Sequence, residues 1–372
     1  MRYFDGAMRM RSVDVSGTAH GRTFTHKRSF VNRLGSHAPS YHGAGWHVPI
    51  HGEFVIIRPS GNGGYSFAVV IDGTQVAWFQ PDSGGGGHKY DFAEDYRIFY
   101  QGADITVFMP GGARSIFYGP TAPVELRGKL KQRRDPGGIL STYTHTNGRL
   151  ASMVQTVAGV AVTFFYNWIE VGPTRWRIRS VALQIGSQLV AEAAYQYFAA
   201  GSTLGRAGDL RRVTRSRLSP VSGNLEPVGE TFYTYHLHDF QGVKMVLEQE
   251  ALARLRAAGL DPETTPDAQL APHLPNYADY AFEYDGDGRV VVEAVDGGAY
   301  TYTFHYAERP ETGGSIASSS SSGGEPEGPD FNVWRHVTVE TRPDGTKNIV
   351  YRELPKIALK REAEGDAAEK TE

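Results

Sequence analysis

Three histidines, His42, His47 and His51, lie close together around Gly43 to Trp46 and are the first residues that could bind a metal. A zinc site needs three or four ligands converging at about 2.0 to 2.1 Å for nitrogen. No HExxH spacing on a helix accompanies them, and the glycines and proline around them indicate a loop, so they read as exposed or locally hydrogen-bonded side chains. His236 and His238 stand two apart on a strand and could share one face, but two such ligands are weak evidence for a metal site, which needs three or four. With Cys 0, thiolate sites, disulfides and a cysteine nucleophile are excluded. Asp285 and Asp287 could form a carboxylate pair for acid–base work, but they flank a glycine-rich turn, where Asp bonds to nearby backbone N–H groups. Gly84 to Gly87 lacks the strand–GxxxxGK[ST]–helix setting of a phosphate cradle and reads as a loop. Trp46 and Trp78 are the residues that could stack on a sugar ring. No catalytic residue, metal ligand or cofactor is assigned.

The elements that would position these groups are strands. Gly 44, Tyr 20 and Phe 18 favour many short strands joined by glycine turns. Tyr280, Phe282 and Tyr284 fall on one face of an extended segment, Asp285 to Gly288 makes a turn, and Val290 to Glu293 returns. Tyr300, Tyr302, Phe304 and Tyr306 form a second aromatic ladder after the turn at Asp296-Gly297-Gly298. Aromatic ladders recur at Tyr143 and His145, at Phe164, Tyr166 and Trp168, at Tyr195 and Tyr197, and at Tyr233 and Tyr235, as stacked β units require. One interruption has helical spacing, Val246 to Ala258, ended by Gly259.

Tyr284-Asp285-x-x-Gly288-Arg289 carries the pattern Tyr-Asp-x-x-Gly-Arg, and the chain thereby resembles the Rhs/YD-repeat family of large bacterial surface, shell-forming and toxin-carrying proteins. Tyr143, Gly148 and Arg149 match the repeat in part, with His145 and Thr146 standing where the motif has Tyr and Asp. Arg28-Ser29-Phe30-Val31-Asn32 followed by Gly43-Ala44-Gly45-Trp46 is similar to the module that precedes the repeats in many Rhs-like proteins. The order helix, proline-rich loop, Tyr277-Ala278-Asp279-Tyr280 and YD turn resembles a subset from planctomycete-type bacteria. The resemblance implies an all-β, antiparallel YD-repeat scaffold, an arc of an Rhs-like shell, in which Tyr143, Gly148, Arg149, Tyr284, Asp285, Gly288 and Arg289 are structural. It also implies a secreted or cell-surface location. Rhs proteins that release a toxin carry an Asp-Pro-Gly cleavage motif at the end of the core. Asp135-Pro136-Gly137-Gly138 lies ahead of a YD-like strand with no second such element after it, and reads as a turn.

Five segments follow: a β-rich module over 1–118, a repeat region over 119–308 with a helix near 246–258, a Ser/Gly/Pro-rich disordered linker over 309–330, a hairpin over 331–353, and a charged disordered tail over 354–372. Lys+Arg 38 against Asp+Glu 41 gives a net charge of -3, which supplies no global field for nucleic acid. Two local basic strips, Arg127 to Arg134 and Arg211 to Arg217, read as solvated strand faces. No apolar run approaches the ~20 residues of a membrane helix, and Met1 to Gly6 has no apolar h-region, so no membrane insertion is expected. The expectation is a non-catalytic scaffold, a fragment or module of a larger protein, pairing with further YD repeats or neighbouring subunits through open strand edges. The alternative is a carbohydrate-binding module or carbohydrate-acting enzyme, with Trp46 and Trp78 as stacking platforms.

Overall fold

Short turns between strands of matching period make each strand pair with the next, and this rule builds almost the whole molecule. The computed structural model describes residues 6–32, 41–43, 45–48, 53–59, 65–70, 76–81, 88–90, 97–101, 103–173, 175–237, 242–308, 317–318 and 334–353. The fold is all-β and antiparallel, in two sheets. A small one contains β1 (Arg9–Ala19), β2 (Arg22–Val31) and β3 (Trp46–His47) in that order. All remaining strands, from Glu53–Pro59 to Lys347–Glu353, belong to the second.

The large sheet closes on itself, with Lys347–Glu353 placed beside Glu53–Pro59. This corrects the expected open arc: among the described residues the sheet has no open edge to recruit a neighbour. The boundary expected at 118 is also not a boundary of the sheet, because Arg114–Tyr118 pairs with Asp104–Phe108 on one side and Leu130–Arg134 on the other. The N-terminal unit that stands apart is the much shorter β1–β3. Trp334–Thr341 and Lys347–Glu353 form the expected hairpin, and Trp334–Thr341 pairs with Tyr300–Glu308. Most of 309–330 and all of 354–372 lie outside the described residues; Ala317–Ser318 is a two-residue strand beside Tyr300–Glu308.

The small sheet occupies the interior of the large one. From Gly6 to Arg28 it meets Tyr166, Tyr195, Arg217, Tyr233, Tyr284, Val290 and Tyr306, which come from successive parts of the wall between Val160 and Glu308. One small sheet can touch so many neighbouring strands only from the concave side. A single hydrophobic core results, in which Phe24, Phe30 and Trp46 from the small sheet join Phe164, Leu183, Val213 and Tyr233 from the wall.

Two helices lie in one insertion, α1 (Gln249–Ala257) and α2 (Asp267–Leu270). The sequence pattern starts the first helix at Val246, but Val246 to Glu248 belong to the strand Val243–Glu248, where Val246 pairs with both Tyr233 and Tyr280. Pairing on two sides outweighs helical spacing here. Leu252 and Leu255 of α1 are buried, and Arg256 reaches Glu230 on the neighbouring wall strand. No helix among the described residues is long and apolar enough to cross a membrane.

Gly45 shows how closely the small sheet is folded. Its φ is +79°, and a Cβ there would lie 2.4 Å from Phe30 Cε2. Gly45→Ala should lower stability by about 2–4 kcal/mol, combining left-handed backbone strain with overpacking. Thermal or denaturant unfolding checks this, and an unchanged midpoint would mean that the turn does not press on Phe30.

Candidate functional site

Side chains alternate along a strand, so Phe24, His26, Arg28 and Phe30 share one face of β2, and all four are buried. Opposite them β1 carries a bulge: Val13 pairs with Lys27 and Val15 with His26, leaving Asp14 as the extra residue. A bulge re-aims a side chain. Here it accompanies burial of Asp14 and Val15 side by side, while Val13 remains exposed.

Asp14 and Arg28 form an ion pair whose side chains are both 0% exposed, with Arg28 Nε donating to Asp14 Oδ2 at 2.7 Å. The wall completes it. Tyr195 O–H donates to the same carboxylate oxygen at 3.0 Å, and Arg28 Nη2 donates to Tyr233 Oη at 2.6 Å. The guanidinium lies 4.3 Å from the Trp46 ring centre and 5.0 Å from that of Tyr233. Trp46 Nε1 donates to Tyr235 Oη at 2.8 Å, and Tyr235 O–H donates to the Leu210 carbonyl at 2.8 Å. His42 packs its ring 4.3 Å from Tyr195, with Nδ1 3.0 Å from Tyr197 Oη.

Burial sets the electrostatics of this cluster. It opposes the charge of Arg28, yet Asp14, with Tyr233 and Tyr195, holds the guanidinium above its ordinary value. Burial pushes His26 down to about 4, against the pull of Asp14 and with the push of Arg28. Tyr166, Tyr195 and Tyr235 are all raised well above the usual phenol value, first by burial. The cluster therefore holds one fixed charge pair among neutral groups at neutral pH. The hydroxyls of Tyr166, Tyr195 and Tyr235 serve as hydrogen-bonding groups, with little tendency to ionise.

A second set of bonds ties the N-terminal segment to the YD turn. Asp285 Oδ1 accepts from the backbone N–H of Asp287 and of Arg289, and Asp285 Oδ2 accepts from Arg289 Nε at 2.7 Å. Arg289 also reaches Asp287 at 3.0 Å and lies over the Tyr306 ring at 5.0 Å. Gly288, with φ at 74°, closes the turn. Its carbonyl accepts from Asn32 Nδ2 at 2.5 Å, and Val290 N–H donates to the Gly6 carbonyl at 2.9 Å. Tyr284 O–H donates to the Val243 carbonyl at 2.8 Å. In the hairpin after Leu140–Thr146, buried Tyr143 precedes the turn at Asn147 and Gly148, whose φ values are 50° and 71°, and Arg149 stacks 3.8 Å from the Trp176 ring centre. Both hairpins carry a register shift at the same place, between Thr144 and His145 and between Glu283 and Tyr284.

Only some of the sequence candidates fall among the described residues. His42 and His47 are buried, and His51 and His238 lie outside the described residues. His236 Nε2 lies 2.8 Å from the Phe282 carbonyl, with its ring edge-on to Tyr284. Trp46 is 0% exposed, which corrects its assignment as a sugar platform: the ring packs within the core against Arg28, Phe30 and Tyr233. Trp78 belongs to Val76–Pro81, but its side chain lies outside the described residues, as do Gly84 to Gly87. Asp135 makes a turn, accepting from Ile139 N–H at 2.8 Å. The basic strips are largely paired: Lys131 with Asp104, Arg212 with Glu230 and Glu263, and Arg217 with Ser16 of β1. The sequence reading missed Asp14, Tyr195 and Tyr233 as parts of one site. The alternating Phe24-His26-Arg28-Phe30 face was the signal available for it.

No protein-family model matches the sequence. No curated protein matches it either. Among solved structures the chain is similar to a porin-like protein from Bacteroides uniformis ATCC 8492, at 8% identity and a TM-score of 0.27, covering 85% of this chain and 99% of that one. A likeness of that size carries no inference about function.

The buried histidine makes stability depend on pH. The unfolded chain protonates His26 below its ordinary value of 6.5, whereas the folded protein resists until about 4. Its stabilising effect is complete above pH 6.5 and is lost as pH falls from there towards 4, by about 3 kcal/mol at the limit. His145, also pushed down to about 4 by burial with Lys129 adding, acts in the same direction. Melting followed from about pH 7 to about pH 4.5 should therefore fall, and His26→Gln should fall less steeply. Parallel slopes for the two proteins would remove His26 from the cluster's energetics.

Proposed function

We propose that this chain is a non-catalytic structural scaffold, a YD-repeat β shell of Rhs-like kind, closed around its own N-terminal sheet and serving as a module of a larger surface or encapsulating protein. The observation that carries the reading is the use made of the interior. Where an enzyme or binding protein of this architecture would keep a lumen for its ligand, the wall's tyrosines bond to Asp14, Arg28 and Trp46 of the same chain. The ionisable groups there have structural partners. The Tyr-Asp-x-x-Gly-Arg turn supports the same reading, since its Asp and Arg bond to each other and its backbone holds Gly6 and Asn32.

Two central wall strands favour contact with water over lipid on their outer side. A transmembrane strand presents apolar side chains outward along a band of about 25 Å. On Gln188–Tyr197 and Leu210–Leu218, the positions that alternate with buried Ala193, Tyr195 and Val213 carry Glu192, Ala194, Gln196, Arg212, Thr214 and Ser216, all polar but Ala194. A secreted or cell-surface scaffold fits this pattern.

A panel of polysaccharides, tested against the intact protein and against Trp46→Ala and Trp78→Ala, distinguishes a scaffold from a carbohydrate-binding module. The scaffold reading expects no saturable binding, with Trp46→Ala costing about 3–5 kcal/mol of stability because it empties a core position. Saturable binding that disappears in Trp78→Ala, with stability unaltered, would contradict it.

A further inference from the structure

A groove on the outer face of the wall has the dimensions and lining of a ligand site. Its volume is about 740 Å³, and it is lined by Ile169, Val171, Arg179, Gln196, Phe198 and Arg211, among others, with Glu263 of the helical insertion closing one end. Such volumes fall in the range of small-molecule sites, which join a mainly apolar lining to a few polar groups. The groove crosses four adjacent strands, those containing Ile169, Arg179, Gln196 and Arg211. Three inter-strand spacings make it about 14 Å long. Ala194, exposed at mid-groove, leaves the floor low.

The charges along the groove are unequal in their commitments. Arg211 donates to the Pro262 carbonyl and lies 3.9 Å from Glu263, which also pairs with Arg212 at 3.2 Å. Arg179 is exposed and has no ion pair or side-chain hydrogen bond among the described residues. One cation is therefore uncompensated at a groove that also presents Ile169, Val171 and Phe198, with Gln196, Arg211 and Glu263 as its other polar groups. A guanidinium recognises a carboxylate with two parallel N–H donors, and partial removal from water strengthens that bond.

We propose that this groove binds a linear amphiphile bearing one carboxylate, of the medium- or long-chain fatty-acid class, with the head group on Arg179 and the alkyl chain along Ile169, Val171 and Phe198. The groove's span, its apolar residues Ile169, Val171 and Phe198, and the unpaired Arg179 together favour that chemistry. A polyanion would meet Glu263. A neutral lipid would leave Arg179 without a counter-charge, and a cationic one would be repelled by it.

The test is titration of the full chain with dodecanoate, held below the concentration at which it forms micelles, and followed by calorimetry. Dodecanol and dodecyltrimethylammonium serve as comparison ligands. The expected result is saturable binding of dodecanoate at one site per chain, weakened at least about tenfold by Arg179→Gln and abolished by Ala194→Trp, which fills the floor. Both positions face solvent, and unchanged melting of each variant shows that the fold is intact. Absence of dodecanoate binding, equal binding of the cationic amphiphile, or binding that survives both substitutions would overturn the proposal. A variant that melts early is replaced by Arg179→Ala or Ala194→Phe, for which the same outcomes apply.

Discussion

The ion pair between Asp14 and Arg28 is the interaction on which the rest of the architecture depends. A closed sheet this wide cannot fill its interior with its own side chains. The filling must come from elsewhere in the chain, and it must be held in register. Arg28 does this by bonding at once to Asp14 within the small sheet and to Tyr233 on the wall, while Asp14 bonds to Tyr195 on another wall strand. Two wall strands and the two long strands of the interior sheet therefore meet at one fully buried charge pair.

Such a pair is a poor way to gain stability, since desolvating two charges offsets most of their attraction. Asp14 Oδ1 and Arg28 Nη1 moreover have no hydrogen-bond partner among the described residues. What the pair supplies is position. Apolar contacts such as those of Phe30 and Trp46 tolerate sliding, whereas a buried guanidinium displaced from its carboxylate leaves an uncompensated charge, at about 3–5 kcal/mol. The bonds between Gly6 or Asn32 and the YD turn act similarly at the other end of the small sheet. On this account the turn at Asp285 to Gly288 serves the interior as well as the wall.

Local structure was largely legible in the sequence. The period-two ladder Tyr280-Phe282-Tyr284 lies on a strand, as does that of Tyr300 to Tyr306, and burial rises from exposed Tyr300 through Tyr302 to buried Phe304 and Tyr306. Gly259 follows the helix, with φ at 78°. Properties set at long range were not legible. Alternation shows that two faces differ, but it does not say which becomes a lumen, so closure was missed. Asp14 turns inward at a bulge that no residue type announces. Trp46 follows a glycine turn that suggests an exposed loop, and its burial depends on β2 and on wall strands nearly two hundred residues later. Val246 has helical spacing in the sequence, but strand pairing on two sides overrides it.

Hydrogen–deuterium exchange of Arg28→Met against the parent tests the central claim most directly, because it reports the interior sheet and the wall separately. If the pair holds both together, protection should fall jointly in Arg22–Val31 and in the wall strands Gln188–Tyr197 and Leu225–Tyr235, which carry Tyr195 and Tyr233. Loss confined to the interior sheet, with those wall strands as protected as in the parent, would contradict it and show that the wall closes without its filling.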